Sequence, residues 1–291
     1  MVNSPEAHSG SISEQIRRAM NDLSPAELRV ARKLLAGYPA PGLGSAAELA
    51  SEASVSSATV IRFTQKLGFR GFPDFHSALR EELSGRRAGP IDLLDRTTVD
   101  SSGAGMLGAL TAALAESVAG ISETIPPAEF DAATRLLSDS TRKIYLVGGR
   151  ASHPLAELLA IYLSRLRPDV SLISRDTSRR LGTLVEASRR SVLVAFDFRR
   201  YEISTVEICK LMAKRGAKIV IVTDVLMSPA TSVANIVLPV QVDVPSPFDT
   251  FITGVALVEC LALAVMRELG DDAINRMREW DAIADQGLVK E

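Results

Sequence analysis

The chain has 291 residues, of which 46% are apolar and 23% charged. That length exceeds one typical domain, and the composition excludes a largely disordered or collagen-like chain, so two folded domains, each with its own core, are the first expectation. A formal net charge of −2 exerts no overall pull on nucleic acid, so any basic surface has to be local.

Such asymmetry is present. Residues 1–90 carry 11 Lys and Arg against 9 Asp and Glu, residues 91–291 carry 22 against 26, and Ser56 to Arg70 holds three cations and no carboxylate. The two cysteines, Cys209 and Cys260, lie in apolar helical patterns with no His or Cys at ligand spacing. Both are expected as reduced core thiols, and no metal is expected. Met1 to Gly10 is polar and lacks the apolar stretch of a secretory signal, while the longest apolar run, Val255 to Met266, is shorter than a bilayer span and is broken by Glu259. These features lead to the expectation of a cytoplasmic protein with no membrane partner.

In chain order, the first ten residues read as a polar tail and order is expected from about Ile12. Ser24-Pro25-Ala26-Glu27 combines an N-cap, a first-turn proline and an early carboxylate, and opens a helix predicted to run to Gly37. Pro39, Pro41, Gly42 and Gly44 force a loop. Two short helices follow, Ser45 to Ala53 and Ser56 to Leu67, the second closed by Gly68, and a third runs from Phe72 or Pro73 to Leu83. Ser84 to Pro90 has linker composition, which sets the predicted domains at 11–84, with a linker over 85–103 and a second domain over 104–291.

Leu107, Leu110, Leu114, Val118 and Ile121 recur at spacings of 3, 4, 4 and 3, one apolar face of a helix. Beyond it, apolar runs at 144–147, 170–173, 192–196, 219–223 and 236–240 alternate with helical patterns, including 202–215 and a long helix from Thr250 to Leu269. Five strands in a parallel sheet follow from this alternation, because parallel strands need crossovers, and the wholly apolar runs indicate burial on both faces.

The pair of helices around residues 45–67 has the parts of a helix-turn-helix. Ser54-Val55-Ser56 makes the turn with Val55 plugging the core, Ser56 caps the second helix, and the small residues Ser57, Ala58 and Thr59 let its first turn approach a groove. Val60, Ile61, Phe63 and Leu67 offer the apolar face, and Arg62, Lys66 and Arg70 form a basic edge for phosphate or guanine. By spacing alone, a plain helical hairpin with a solvated basic face fits equally well. The residues Leu49-Ala50, Val55-Ser56, Ala58-Thr59-Val60, Arg62-Phe63, Lys66-Leu67-Gly68-Phe69 and Gly71-Phe72-Pro73-Asp74-Phe75 closely resemble the N-terminal domain of the RpiR family of bacterial regulators. The resemblance extends over about Ile12 to Ile283 and implies an all-α helix-turn-helix domain followed by an α/β SIS (sugar isomerase) domain with a five-stranded parallel sheet flanked by helices. It further implies double-stranded operator DNA as partner, a phosphorylated sugar as effector, and repression as the mode of action.

Ligands of open α/β sheets sit at the carboxyl ends of strands, where helix N-termini attract phosphate. After the first strand, Gly148-Gly149-Arg150-Ala151-Ser152 matches the small-residue loop of that family, with Ser152 and the backbone amides expected on phosphate and Arg150 or His153 adding charge; a tight turn without ligand is the alternative. The loop lacks the spaced triple glycine of dinucleotide folds, so no cofactor is expected. After the third strand the family places a Ser-rich loop, but this chain has Asp197-Phe198-Arg199-Arg200-Tyr201-Glu202-Ile203-Ser204. There Arg199 and Arg200 are candidates for bidentate anion binding, with Tyr201 and Ser204 beside them, and Asp197 would repel phosphate unless paired with an arginine or a ligand hydroxyl. Thr223 and Asp224 end the fourth strand, and Ser246 or Asp249 caps the last long helix, Ser246 also being a ligand candidate.

Two other functions fit parts of the pattern. A sugar-phosphate isomerase or lyase needs a base, for which only His153 and Glu157 lie near the first loop. A sensor for a carboxylated metabolite would use the same arginines. No catalytic residue is assigned, and the apolar helices around 104–121 and 250–269 are the expected surfaces of a homodimer or tetramer.

Overall fold

The computed structural model describes residues 12–36, 38–87, 89–94 and 104–285, so the expected polar tail, Gly37 and the 95–103 part of the predicted linker lie outside the described residues. The chain divides into two compact units, one up to residue 88 and one from residue 89.

The first unit is helical: α1 (Ile12–Ala19), α2 (Pro25–Ala36), α3 (Ala46–Glu52), α4 (Ser57–Lys66) and α5 (Phe72–Arg87). Its core gathers Ile16, Val30, Leu34, Leu49, Val60, Phe63, Phe75 and Leu79, all fully buried, each such side chain contributing roughly 1.5–3 kcal/mol of transfer free energy. Val55 in the turn is half-buried against this cluster. Gly42 lets the α2–α3 loop cross that core, because an added Cβ would stand 2.5 Å from Leu79 Cδ2. Ser84 to Arg87, expected as linker, instead prolongs α5, and Pro90 opens a further helix, since a first-turn proline starts helices as readily as it ends them.

The second unit continues with α6 (Pro90–Leu94), α7 (Ala104–Ala119), α8 (Ile121–Thr124) and α9 (Pro127–Ser138), then β1 (Lys143–Gly148), α10 (His153–Leu166), β2 (Val170–Leu172), α11 (Thr177–Glu186), β3 (Ser191–Asp197), α12 (Ile203–Lys214), β4 (Lys218–Asp224), β5 (Ile236–Val240), α13 (Ile252–Leu269) and α14 (Asp271–Ile283). As the alternation required, the five strands form one parallel sheet, in the order β2-β1-β3-β4-β5. Strand alternation assigns the two faces. Ile144, Leu146, Val194, Phe196, Val220 and Val222 pack with residues of α9, α10 and α13, whereas Tyr145, Val147, Leu193, Ala195, Ile219 and Ile221 pack with α12.

Two expectations change here. Cys209 is buried, and burial pushes its thiol up to about 12, but Cys260 is exposed on α13. The apolar pattern around it had two sides: Leu257, Leu261 and Val265 form the buried one, and residue 260 falls on the other. Secondly, Gly105 to Thr124 is a helical stretch long and apolar enough to cross a membrane by length and composition. Glycine, serine and threonine interrupt it, which is why the Val255 to Met266 run stood out instead. α7 packs on α13 yet leaves Met106 and Leu107 exposed.

The chain leaves β1 in one direction and returns to β3 on its other side, so the strand order reverses between β1 and β3. A crevice opens at such a switch point beyond the carboxyl ends of the strands. Register aligns Gly148 with Phe196 and Asp197 with Thr223, bringing the ends of β1, β3 and β4 to one rim.

Candidate functional site

In the first unit, α3 and α4 form the helix-turn-helix. Ser45 and Glu48 make a reciprocal capping box on α3: the Glu48 amide donates to Ser45 Oγ at 3.2 Å, and the Ser45 amide donates to Glu48 Oε2 at 2.6 Å. Between the helices Ser54 takes a positive φ of 53°, and Ser56 is extended and caps α4, accepting from the Thr59 amide at 3.3 Å. Gly68 closes α4 at φ 92°, the left-handed position that favours glycine.

The six residues expected at DNA fall into three sets. Ser56 and Thr59 build the cap. Their hydroxyls lie 3.0 Å apart and Thr59 is buried, so it is turned away from any groove. Lys66 and Arg70 are held by carboxylates: Lys66 Nζ lies 2.8 Å from Glu27 Oε2 and donates to the Asp22 carbonyl at 3.1 Å, and Arg70 lies 3.0 Å from Asp74. Hydrogen bonding to Lys66, first of all, pulls the Glu27 carboxyl down to about 2. Ser57 and Arg62 face outward, and Arg62 reaches back only to Thr59 Oγ1 at 3.5 Å. Ile61, expected in the apolar face, is 40% exposed; fully buried Thr64 takes its place, its hydroxyl donating to the Ile61 carbonyl at 2.8 Å. The outward strip of α4 is therefore Ser57, Ala58, Ile61, Arg62 and Gln65.

In the second unit the β1 exit is packed tightly. A Cβ on Gly148 would stand 2.6 Å from the Ser152 carbonyl oxygen and 2.7 Å from His153 N, so only glycine fits where the loop folds back on the strand. Ser152 is buried, its hydroxyl donating to the Phe196 carbonyl at 2.7 Å and accepting from the Gly149 amide at 2.9 Å. It therefore shapes the loop, and its hydrogen-bonding capacity is used inside the protein instead of on a ligand. Outside the loop lies a cleft of about 510 Å³, whose lining includes Gly148, Arg150, His153, Arg175, Arg180, Glu202 and Ser204.

Arg199, Arg200 and Tyr201 do not line this cleft. The Arg199 side chain is 4% exposed and is ion-paired with Asp243 and, at 2.8 Å, with Asp249. Tyr201 donates to Asp224 Oδ1 at 2.9 Å, and Arg200 is exposed with φ 67°. Asp197 pairs with neither an arginine nor the cleft: it accepts from the Ser228 hydroxyl and the Glu202 amide, and burial pushes it up to about 6. Burial likewise raises buried Asp224, and raises Asp249 to about 6. Ser246 accepts from the Phe248 amide at 3.1 Å and lines a separate recess of about 140 Å³ with Arg199, Asp243 and Asp249. Neither Ser246 nor Asp249 caps the last long helix: its N-cap position is Phe251, which makes no side-chain cap, the Ile252 amide donates to Thr250 Oγ1 at 3.2 Å, and Asp249 pairs with Arg199.

Three cleft residues were missed from the sequence: Arg175 and Arg180 at the exit of β2, and Glu202. The run Ser174-Arg175-Asp176-Thr177-Ser178-Arg179-Arg180 between strand and helix was the available signal, since every strand exit on the switch-point rim is a candidate. Of the base candidates for the isomerase alternative, His153 lines the cleft, while Glu157 is exposed on α10 and does not line it.

Two family models match this chain. A helix-turn-helix domain of the rpiR family covers residues 10–86, and a SIS domain covers residues 136–264. The chain thus joins an rpiR-family helix-turn-helix domain to a SIS domain. Among its relatives, the transcriptional regulator HexR of Pseudomonas aeruginosa is 24% identical over 269 residues, 91% of this chain and 92% of HexR. Glutamine–fructose-6-phosphate aminotransferase of Pyrobaculum aerophilum is 27% identical over 174 residues; the match takes in 58% of this chain but only 28% of that enzyme's length. The fold also matches that of the Vibrio vulnificus NanR protein, solved complexed with ManNAc-6P, with a TM-score of 0.55 and 18% identity over 94% of this chain and 98% of NanR.

Proposed function

We propose that this protein is a cytoplasmic DNA-binding transcriptional regulator whose SIS unit senses a sugar phosphate or a related anionic metabolite. The observation that carries the reading is the pairing, within one chain, of a capped helix with an outward Ser57–Ala58–Arg62 strip and a switch-point cleft carrying Arg150, Arg175 and Arg180. The ManNAc-6P held by NanR supports the choice of ligand class. Ser57 and Arg62 make the base-edge contacts, with Arg62 reading guanine, while Lys66 sets the helix in place through Glu27 and Arg70 pairs with Asp74 on the surface beyond its end. The DNA-binding head ends with α5, and the sensing unit begins beyond it.

A single recognition helix makes few base contacts, so specific binding uses two heads on a dimer. Exposed Met106 and Leu107 on α7, with Leu263 on α13 and Trp280 on α14, supply apolar surface for a second copy. Repression is the mode expected.

Fluorescence anisotropy with DNA from upstream of the protein's own coding region, against scrambled DNA and across ~50 to 200 mM salt, tests this reading. Sequence-preferring binding that weakens by about 1–3 kcal/mol in Arg62→Ala is expected, as is a response to one sugar phosphate of a panel. Folded protein showing neither specific nor salt-dependent binding refutes it.

A further inference from the structure

The cleft carries its charge in an unexpected place. The amide of Arg150, in the loop after β1, is already occupied: it donates to Glu202 Oε1. The contact is close on the backbone side as well, since a Cβ on Gly149 would lie 3.2 Å from the Glu202 carboxyl carbon. Buried Ser152 gives the loop no free hydroxyl. An oxyanion at the loop would meet a carboxylate and no unused side-chain donor from Ser152.

Arg150, Arg175 and Arg180 line the same cleft, and the Arg175 guanidinium donates to the Arg150 carbonyl at 3.2 Å, which holds the two arginine segments together. Among the described residues none of the three has an ion-pair partner, unlike Arg199 with its two aspartates. Guanidinium forks without a partner at the mouth of a concave site are oxyanion receptors. A carboxylate in the same cleft accepts hydrogen bonds from hydroxyls and repels a second anion.

We infer that the effector's anionic group seats on the arginines from the β1 and β2 exits, and that Glu202 occupies the β1-loop amide and selects for hydroxyl groups next to that anion. The ligand class is a hydroxyl-bearing phosphate monoester, oriented with its phosphate toward Arg175 and Arg180 and its hydroxyls toward Glu202. Arg150 supplies charge through its side chain while its amide stays with Glu202. The inference rests on the cleft being the effector site.

Glycerol 3-phosphate and propyl phosphate, which share the anion and differ in hydroxyls, are titrated by calorimetry into the full chain. The doubly substituted Arg175→Ala, Arg180→Ala protein is expected to bind both esters at least about tenfold more weakly, the scale of losing direct guanidinium contacts. The parent protein is expected to favour glycerol 3-phosphate by about fivefold, and Glu202→Ala to erase that preference and tighten propyl phosphate by about threefold. Arg175 is exposed and Arg180 half-buried, and neither belongs to the core, so their loss leaves the core intact; circular dichroism melts verify this for each variant. Arginine variants within about twofold of the parent, a preference that survives Glu202→Ala, or no binding of either ester at ~10 mM, overturns the inference. Each of these failures leaves metabolite-driven release from DNA to be scored separately, so the regulator reading stands or falls on its own measurement.

Discussion

Removing the carboxylate that holds the recognition helix should loosen the first unit while leaving its outward surface unchanged. Glu27 Oε2 accepts from Lys66 Nζ on α4 and from the Ser24 amide at the start of α2, each at 2.8 Å, tying two helices through one oxygen. Its carboxyl drops from 4.5 to about 2 on folding, which at about 1.4 kcal/mol per unit sets a ceiling of about 3.5 kcal/mol. The Glu27 side chain is only 6% exposed, but that of Lys66 is 45% exposed, so solvent and salt screen the pair and about 1.5 kcal/mol is the expected cost of Glu27→Gln. For a helical unit of this size that is a fall of roughly 6–12 °C in its thermal transition. The folded pKa lies below the unfolded one, so this stability is complete above about pH 4.5 and is lost as pH falls toward 2. Circular dichroism melts of the full chain and of Glu27→Gln should therefore differ from pH 7 down to about 4.5 and converge below. Lys66→Met should destabilise similarly and leave the salt slope of DNA binding nearly unchanged. Equal melting of parent and Glu27→Gln at pH 7, or a Lys66→Met protein of full stability whose salt slope falls by about 0.9, would refute the reasoning and put Lys66 on phosphate.

Other substitutions separate architecture from binding. Gly148→Ala places a Cβ against the Ser152 and His153 backbone and should cost about 2 kcal/mol or more by urea unfolding, because backbone cannot yield as a flexible side chain does. Arg199→Ala strands Asp243 and Asp249 and should destabilise the SIS unit by about 3 kcal/mol, with effector affinity in the still-folded fraction unchanged. Asp197→Asn should do the reverse: burial raises this carboxyl from 3.8 to about 6, so the charged form costs stability that grows as pH rises from 4 to 6. The variant should gain up to about 3 kcal/mol at pH 8 and nothing below about pH 4, read from urea midpoints at both pH values.

What could be read in the sequence followed from local physics. The five strands were legible because parallel strands buried on both faces are uninterrupted apolar runs, and Leu193 through Phe196 is one such run at 0% exposure. The helix-turn-helix was legible because caps and turns use neighbouring residues: Ser45 with Glu48, and Ser56 with Thr59. Side-chain partnerships across the fold were not. Nothing local says that Lys66 meets Glu27, or that Arg199 is neutralised from the segment after β5, since both depend on the tertiary arrangement. The same limit applies to Ile61, whose apolar character suited the core while its angular position on α4 placed it outside.

The replacement of a Ser-rich loop after β3 by Asp197 to Tyr201 reads differently once its partners are known. Arg199 is matched by Asp243 and Asp249, Tyr201 by Asp224, and Asp197 by Ser228, so three of these residues are bound by partners from later segments of the same unit. A loop tied down in this way at the ends of β3, β4 and β5 holds Asp197 and Arg199 inside the fold and leaves only Arg200 exposed, outside the cleft lining. The cleft cations without an ion-pair partner among the described residues come from the β1 and β2 exits, and Glu202 shares the lining with them. On the proposed reading, the departure from the small-residue pattern leaves effector binding to the arginines of the β1 and β2 exits. Binding energy for an effector should accordingly respond to Arg175 and Arg180, while substitutions at Arg199 register as changes in folding.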